Sequence, residues 1–503
     1  MHWIDGLVVA LYLIFTLAMG AYLTRRVKSA KDFFLAGRKL SFWSIGMSVV
    51  VSDIGALEMV GGTAGAFQYG IAQANYEWIG CVPAMIIAAL IFIPVYWRSG
   101  IFSVPEYLGR RYGAPVQAIE ALVWTLFLAA ALGVFFQAAA KMCAGLFGWE
   151  PWFSVALIGV IVAVYTIGGG LEAVVLTDVV QCVALFVGGL TLAGIGLHRV
   201  GGFGGLQQSL RSQGVRTEHH LKLLMPVDLK DGAGQPTGYP WSGILLGLGF
   251  VLSPAYWLGN QAIVQRTLGA KDEWSAKAAM IFGALLKTLV PLAFVLPGLL
   301  AIALWGDRPV ADANEIYPQL INELLPNGLR GVLYAAFLAA LMSSVDSYAN
   351  SAATIVCRDI YQRFFVRDES DAHYLRVGRF ISLTVIALGV AMVPVVSAYQ
   401  TIYDAFQTFL SFFQGPSLAL LLCGLLWRGA TPTGGLVALV TGIAGAAMMH
   451  IFSDIHYLHM AWWSFLLSLV VLIVVSFVTK PLSADLLRDL MAKPGPGKGE
   501  AAS

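Results

Sequence analysis

Long apolar stretches separated by short polar segments run along the whole of this 503-residue chain. A helix that crosses a bilayer needs about 20 consecutive apolar residues, and the pattern predicts about thirteen such spans. They lie near residues 4–24, 41–69, 75–97, 115–147, 152–168, 175–198, 241–261, 278–305, 331–357, 378–398, 401–427, 433–453 and 459–479. We therefore predict an all-α, polytopic membrane protein.

The composition agrees with this pattern. Hydrophobic residues make up 58% of the chain and charged residues only 12%, whereas soluble domains have about 25% charged residues. The 31 basic and 29 acidic residues nearly balance, so the chain lacks the basic surface that nucleic-acid binding requires. We expect the lipid bilayer as its surroundings, no nucleic acid and no obligate protein partner.

The positions of the basic residues predict the orientation. No base precedes the first apolar run, which is therefore interpreted as a retained helix and not as a signal peptide. Six bases follow it between residues 25 and 39, and such clusters stay in the cytoplasm. With the N-terminus outside and the C-terminus inside, 22 of the 31 bases fall in inner segments and 7 in outer ones. We expect a multi-pass protein of the cell (inner or plasma) membrane.

Two of the predicted spans contain several helix-breaking residues. The second span has Gly46, Gly55, Gly61, Gly62 and Gly65, and the seventh has Gly247, Gly249, Pro254 and Gly259. Unwound backbone at membrane depth is tolerated where it lines a cavity. Because the two spans lie five helices apart, they run in opposite directions, as in a five-plus-five inverted repeat with its substrate site between broken helices. The alternative is that Gly and Pro are simply common in transmembrane helices.

Ionisable residues recur inside the predicted spans. A charge at the bilayer centre costs about 2.5–3.5 kcal/mol, so such residues face the bundle interior and mark ion or substrate routes. The set is Asp53, Glu58, Glu77, Asp178, Lys287, Asp346 and Asp404. The structural alternative for Glu77 and Lys287 is a buried pair that holds helices in register. Lys141 is interpreted as a stabilising or snorkelling base.

The ninth span has the densest run of hydroxyl groups, FLAALMSSVDSYANSAATI. Ser343, Ser344, Ser347 and Asp346 offer hard oxygen ligands on adjacent turns, and hard cations such as sodium prefer oxygen ligands. Serines in membrane helices also hydrogen-bond to neighbouring helices or to their own backbone. The serines alone therefore leave both interpretations open.

Several separated motifs follow one another in the order of a known family. They are FFLAGRKLSFWSIGMSVVVSDIG, NYEWIG, GIFSVPEYLGRRYG, GGLEAVVLTDVVQ, AYWLGNQAIVQR, LAALMSSVDSYANSA and YDAFQ. On these segments the chain resembles the solute:sodium symporter family, and within it the sodium/glucose cotransporter branch. The resemblance implies a LeuT-type fold and sodium-driven uptake by alternating access.

We divide the chain accordingly. The expected units are an extra N-terminal helix with a basic cytoplasmic loop (1–40), a first inverted repeat (41–200), an external loop (201–240), a second inverted repeat (241–428), two additional C-terminal helices (429–480) and a disordered cytoplasmic tail (481–503).

The resemblance also implies a sodium site. The family holds sodium with two backbone carbonyls of the first broken helix, and with one carbonyl and two serines of the ninth span. The matching positions are Val51, Ile54, Ala340, Ser343 and Ser344. Some members hold a second sodium, for which Asp178, Asp346 and Ser347 match, although Asp346 stands where such members carry Ser.

The sugar-transporting branch further implies substrate contacts. They correspond to Asp53, Glu58, Glu77, Tyr256, Trp257, Lys287 and Gln407, with Tyr256 as inner gate. Asp53 replaces an Asn of the branch and Glu58 replaces a His or Gln. These two changes make the site acidic unless the carboxyl groups are protonated, bind a cation, or meet a polyhydroxylated or cationic substrate.

We therefore expect a sodium-coupled symporter that imports a sugar or related polyol, with Na+ as coupling ion and no enzymatic activity. Two alternatives stay open. One is a sodium symporter of a cationic or zwitterionic solute such as an amino acid or amine. The other is a channel or sensor that binds the solute without transporting it.

Overall fold

A computed structural model describes residues 2–24, 34–213, 219–227, 239–306, 308–399 and 402–482. The predicted tail lies outside these residues from 483 onwards, as do parts of the predicted basic loop and external loop. The described part of the chain is almost entirely helical, and its extended pairing consists of isolated bridges, Leu40 with Ala270 and Met225 with Pro240.

Within the described residues, eight helices are long and apolar enough to cross a bilayer. They are Tyr76–Ser99, Ala114–Ala144, Leu171–Arg199, Glu273–Trp305, Leu329–Phe365, Asp371–Val396, Pro432–Phe452 and Tyr457–Val478. Further helices are Trp3–Thr24, Val104–Tyr112, Gly202–Ser212 and Ile316–Leu324. We call Glu273–Trp305 the lysine helix and Leu329–Phe365 the serine-rich helix.

Three more spans are pairs of helices that meet at a bend. The first broken helix is Phe42–Gly55 with Leu57–Ala74, bent by 54°; the second is Gly243–Gly259 with Gln261–Leu268, bent by 50°; the third is Ile402–Ser411 with Gln414–Leu426, bent by 48°. Counting each pair as one span gives up to 11 spans in the described residues. The count of thirteen and the direction of the termini stay predictions.

The backbone explains each bend. In the first broken helix Gly55 has φ 26° and ψ −156°, outside the helical region. In the second, Asn260 is extended (φ −67°, ψ 112°), and its side chain caps the following helix by accepting the Ala262 N–H at 2.9 Å. The third bend was not predicted; it lies beside Pro416, which has no N–H to donate to the carbonyl of Phe412.

One predicted boundary is wrong. We expected separate helices over 152–168 and 175–198, but helical backbone runs without interruption from Pro151 to Arg199. The apolar parts, Pro151–Ile161 and Leu171–Arg199, match the two predicted spans. Glycines 168–170 keep their backbone N–H donors, so they permit a break without enforcing one as proline does.

The first broken helix occupies the centre of the fold. It packs against the helix Pro151–Arg199, the lysine helix, the serine-rich helix and the Gln261–Leu268 half of the second broken helix. The N-terminal helix is fixed to this core by Asp5, whose carboxylate accepts the N–H groups of Gly328 (2.7 Å) and Gly331 (3.0 Å). Residues of the first broken helix thus face several partners at once.

Candidate functional site

A small cavity lies where the three broken helices meet the helix Tyr76–Ser99. Six of the seven predicted substrate-contacting residues line it: Asp53, Glu58, Glu77, Tyr256, Trp257 and Gln407. Its volume is about 30 Å³, room for about two water molecules. A six-membered sugar ring therefore needs this cavity to widen before it can enter.

The seventh predicted residue, Lys287, lies against the wall of the cavity. Its ammonium nitrogen is 3.0 Å from Glu77 Oε1 and 2.9 Å from Glu77 Oε2, and it also forms an ion pair with Asp53. The same nitrogen is 5.9 Å from the centroid of the Trp257 ring. The predicted Glu77–Lys287 pair is present, and Asp53 extends it to a triad with one cation between two carboxylates.

Glu58 differs from the other two acids of the cavity. It lies on the first turn after the break at Gly55, and its side chain is 7% exposed. In the described part of the chain, no hydrogen-bond partner is found for its Oε2 and no base lies within ion-pair distance of it. Three carboxylates therefore share this pocket with a single ammonium group.

Several tyrosines lie beside the cavity, and of these the sequence reasoning selected only Tyr256. On one side Tyr76 lines the cavity, bonds through its hydroxyl to Tyr457, and packs edge-on against Tyr403 at 4.7 Å between ring centroids. On the other side, the hydroxyl groups of Tyr256 and Tyr348 lie 2.9 Å apart. Aromatic residues are common in membrane proteins because they form belts at the membrane interfaces. Only the structure therefore distinguishes the tyrosines at the cavity from those of the belts.

A second polar cluster is buried beside the first broken helix, next to Ser48 and Ser52. The carboxylate of Asp178 accepts hydrogen bonds from Ser48, Ser343 and, at 3.4 Å, Ser52. The Ser347 hydroxyl lies 3.3 Å from that of Ser52. The structure thus brings Asp178, Ser343 and Ser347 together, and Asp346 is buried on the same helix.

Arg266 lies in the middle of this cluster, and the sequence reasoning misplaced it. It was counted among the bases of an inner loop, but its side chain is 1% exposed and belongs to the helix Gln261–Leu268. Its guanidinium donates to Ser48 (2.7 Å), Ser52 and Ser347, and lies 3.4 Å from Asp178. Acids outnumber bases among the charges that the sequence predicts to be buried. That imbalance is the signal that could have indicated a further buried base.

The break at Gly55 exposes the predicted sodium ligands to one another. Ile54 precedes Gly55, and Val51 lies one turn earlier, both fully buried. A Cβ atom at Gly55 would lie 2.5 Å from Ser344 Oγ and 4.0 Å from the carbonyl oxygen of Ala340. The absence of a side chain at this position therefore lets oxygen atoms of the serine-rich helix lie close to the broken backbone.

The two polar regions meet at consecutive residues. Ser52 contacts Asp178, Arg266 and the serine-rich helix, whereas Asp53 contacts Lys287 and lines the cavity. Any movement of the helix at the break must therefore alter both regions together. This adjacency is the main geometric feature of the site.

A larger cavity of about 740 Å³ lies at the end of the bundle that contains Lys141, Asp312 and Ile402. Lys141 forms an ion pair with Asp312 at 2.7 Å, in agreement with its predicted stabilising role. Partial burial raises the pKa of Asp312, but the ion pair with Lys141 and the hydrogen bonds from Asn314 together outweigh it, so the pKa lies below its usual value. Ile402 lines this cavity and the adjacent Tyr403 lines the small one.

Comparison with known proteins agrees with this geometry. Residues 33–442 match the Sodium:solute symporter family. Sodium/glucose cotransporter 4 of Mus musculus is 31% identical, covering 97% of this chain and 78% of that protein. Sodium/myo-inositol cotransporter 2 of Oryctolagus cuniculus is 32% identical with the same coverage. The sodium/glucose cotransporter of Vibrio parahaemolyticus is 29% identical, covering 89% of this chain and 85% of that protein.

Solved structures support the fold. A Na+-coupled sialic acid symporter in a substrate-bound, outward-open state superposes with a TM-score of 0.85 at 20% identity, covering 96% of this chain and 99% of that chain. The nucleobase-cation-symport-1 family transporter Mhp1, in a closed conformation, gives a TM-score of 0.57 at 14% identity, covering 91% and 97%. The predicted LeuT-type all-helical fold is confirmed.

Proposed function

This chain belongs to the Sodium:solute symporter family, and on that premise we propose that it is a sodium-coupled symporter which imports a sugar or related polyol by alternating access. The observation that carries the proposal is the adjacency of Ser52 and Asp53 at the break of the first broken helix. One residue contacts the serine-rich cluster and the next lines the cavity. The proposal treats the chain as a transporter and not as an enzyme.

In this proposal, sodium is held between the break at Gly55 and the serine-rich helix. Its ligands are the carbonyl oxygens of Val51, Ile54 and Ala340 and the hydroxyl oxygens of Ser343 and Ser344. Ser343 donates a hydrogen bond to the carboxylate of Asp178. The lone pairs of the Ser343 oxygen are therefore available to a cation, and the hydrogen bond makes that oxygen more negative. Such a site prefers a hard cation, and the ion joins the first broken helix to the serine-rich helix.

A second sodium at Asp178, Asp346 and Ser347 has to compete with Arg266. The guanidinium already donates to Ser347 and lies 3.4 Å from Asp178, so a second cation there meets a like charge. We propose that the first site is sufficient for coupling and that the second fills only if Arg266 moves.

The solute occupies the cavity once it has widened. Glu77 is placed to accept hydrogen bonds from hydroxyl groups, and Gln407 can both donate to them and accept from them. Tyr256 and Trp257 offer ring faces for the apolar side of a sugar ring. Sodium raises solute affinity only if it binds better to the conformation that holds the solute. Because the proposed sodium site and the cavity adjoin the same break of the first broken helix, one conformation of that helix can favour both ligands.

Alternating access then moves the two proposed repeats, 41–200 and 241–428, relative to each other around the site. The larger cavity beside Lys141 and Asp312 is the proposed outer approach, separated from the small cavity by Tyr403. We place the protein in the cell membrane, with its N-terminus outside.

The acidic cavity favours one second candidate, a cationic or zwitterionic solute such as an amine or amino acid. Asp53 and Glu58 are its basis, because they add two carboxylates where sugar-transporting relatives carry neutral or basic side chains. A channel or sensor would bind a solute without accumulating it against a gradient, so an accumulation assay separates that alternative from symport.

The test is uptake into proteoliposomes with an inward sodium gradient, using labelled D-glucose, myo-inositol, D-glucosamine and L-proline. We expect accumulation of at least one sugar or polyol, abolished when an ionophore collapses the gradient. Ser343→Ala should raise the sodium concentration for half-maximal uptake at least about tenfold, since one ligand of a buried cation is lost.

The matched control is Ser382→Ala, a buried serine whose hydroxyl donates to Gly378 O of its own helix at 3.1 Å and, at 3.5 Å, to Ala349 O, away from the proposed sodium ligands. It should keep the wild-type sodium dependence. Unchanged sodium dependence in Ser343→Ala would refute the sodium site. Accumulation of L-proline alone would favour the second candidate.

A further inference from the structure

The charges of the cavity do not balance. Asp53, Glu58 and Glu77 contribute three carboxylates, while Lys287 contributes the one ammonium group that ion-pairs with them in the described part of the chain. Buried charges are stable only when they are paired. The cavity therefore has an unmet requirement for positive charge.

The contacts locate that requirement at Glu58. Lys287 is completely buried and engages both Asp53 and Glu77, which leaves Glu58 outside the triad. Glu58 is 7% exposed, lines the cavity, and has an oxygen, Oε2, without a hydrogen-bond partner among the described residues. It is a buried carboxyl group with an acceptor oxygen available to a solute, at the wall of the space where the solute binds.

A neutral sugar satisfies this group only in part. A hydroxyl donates a hydrogen bond to Glu58 but brings no charge, whereas an ammonium group donates a charge-assisted bond, which is roughly twice as strong. The three carboxylates carry three negative charges. Lys287, a substrate ammonium group in the cavity and a sodium ion beside Gly55 carry three positive charges, so the total charge is zero. The rest of the cavity still suits a polyol, with Gln407 for hydroxyl groups and Trp257 for an apolar ring face.

We propose that the solute is an amino sugar or aminopolyol whose ammonium group pairs with Glu58. This inference rests on the proposed function, and names the class of solute for the same site. Glu58 is then the residue that determines specificity, and the triad of Lys287, Asp53 and Glu77 positions the hydroxyl-bearing part of the ring.

The experiment compares three labelled sugars that differ in one substituent. D-glucosamine carries an ammonium group, D-glucose a hydroxyl, and N-acetyl-D-glucosamine a neutral amide at the same ring position. Sodium-driven uptake is measured in proteoliposomes at mildly acidic pH, where the sugar amine is protonated. For the wild-type protein we expect half-maximal uptake of D-glucosamine at a concentration at least about tenfold below that of D-glucose, the difference between a charged and a neutral hydrogen bond.

Glu58→Gln keeps the size of the side chain and removes its charge. It should abolish the preference for D-glucosamine over D-glucose, so that the two sugars reach half-maximal uptake at similar concentrations. Glu150→Gln, an exposed acid at the start of the helix Pro151–Arg199, is the matched control and should leave the preference unchanged. If Glu58→Gln does not fold, the wild-type ranking of the three sugars still decides.

The outcomes separate the two proposals. Sodium-driven uptake of D-glucose or N-acetyl-D-glucosamine at least as efficient as that of D-glucosamine overturns the assignment to Glu58 and leaves sodium symport intact. A preference for D-glucosamine that survives in Glu58→Gln also overturns it. Absence of sodium-driven uptake for all three sugars, with myo-inositol inactive as well, overturns the proposed function and this inference with it.

Discussion

At the scale of single residues, Lys287 holds the cavity together. Its ammonium group is fully buried and contacts both Asp53 and Glu77. Those two carboxylates approach each other only because a cation lies between them. Asp53 thus gives the buried lysine a second partner, and Glu58 is the carboxyl group of the cavity that lies outside this triad.

Replacing Lys287 should therefore be strongly destabilising. Lys287→Met leaves two buried carboxylates without a counter-ion, and breaking a buried ion pair in this way costs about 3–5 kcal/mol. We expect a lower midpoint of thermal unfolding in detergent and loss of uptake.

The compensating control removes both acids as well. Lys287→Met combined with Asp53→Asn and Glu77→Gln should recover most of the unfolding temperature without recovering transport. A single Lys287→Met variant as stable as the wild type would show that the ion pairs do not hold the cavity together.

The chemistry of the cavity was largely predictable, because a charge inside an apolar span is costly and must face the interior. Glu77, Lys287 and Asp53 stand out for that reason. Arg266 did not, because it follows the end of an apolar run, where a base is typical of a loop. Only the packing of the neighbouring helices shows that it is buried. Tyr76 and Tyr457 were not predictable, since the sequence does not bring them together.

At the scale of elements, the break in the first broken helix organises the site. Gly55 has φ 26°, a conformation that residues with a side chain rarely adopt, and it faces the Ser344 hydroxyl. The break therefore needs glycine for its backbone and for the space beside it. Of the residues just before the break, Ser52 contacts the serine-rich cluster and Asp53 lines the cavity.

Gly55→Ala should impair sodium binding more than folding. The added methyl group lies 2.5 Å from Ser344 Oγ, and the backbone strain alone costs about 1–3 kcal/mol. We expect a higher sodium concentration for half-maximal uptake and a moderately lower unfolding temperature.

Gly194→Ala is the matched control, because a Cβ at that position of the helix Pro151–Arg199 meets nothing within 4 Å. It should leave both sodium dependence and unfolding temperature at or above the wild-type values. Equal behaviour of the two variants would contradict the role given to Gly55.

Elements differ in how well their breaks could be predicted. The dense glycines around Gly55, and the Pro254 and Gly259 pair, indicate the first two broken helices. The third contains a single Gly-Pro step, and its bend lies where Pro416 has no N–H to donate to the carbonyl of Phe412. Conversely, glycines 168–170 predicted a boundary where the helix continues, because glycine permits a break that tertiary contacts need not use.

At the scale of the whole molecule, one helix break adjoins both the proposed ion site and the proposed solute cavity in a LeuT-type fold. The cavity of about 30 Å³ lies between tyrosines on two sides, so solute entry requires the surrounding helices to separate. The proposed ion site and the cavity share the residues at the break. In the proposed function, sodium binding and solute binding therefore influence each other.

The most direct test of this coupling is equilibrium binding of both ligands to the purified protein, by calorimetry with the solute identified in the uptake screen. Linkage requires that sodium change the affinity for the solute by the same factor as the solute changes the affinity for sodium. We predict that each ligand tightens binding of the other at least about fivefold, and that Ser343→Ala removes the effect in both directions. Solute affinity that is the same with and without sodium would contradict the account.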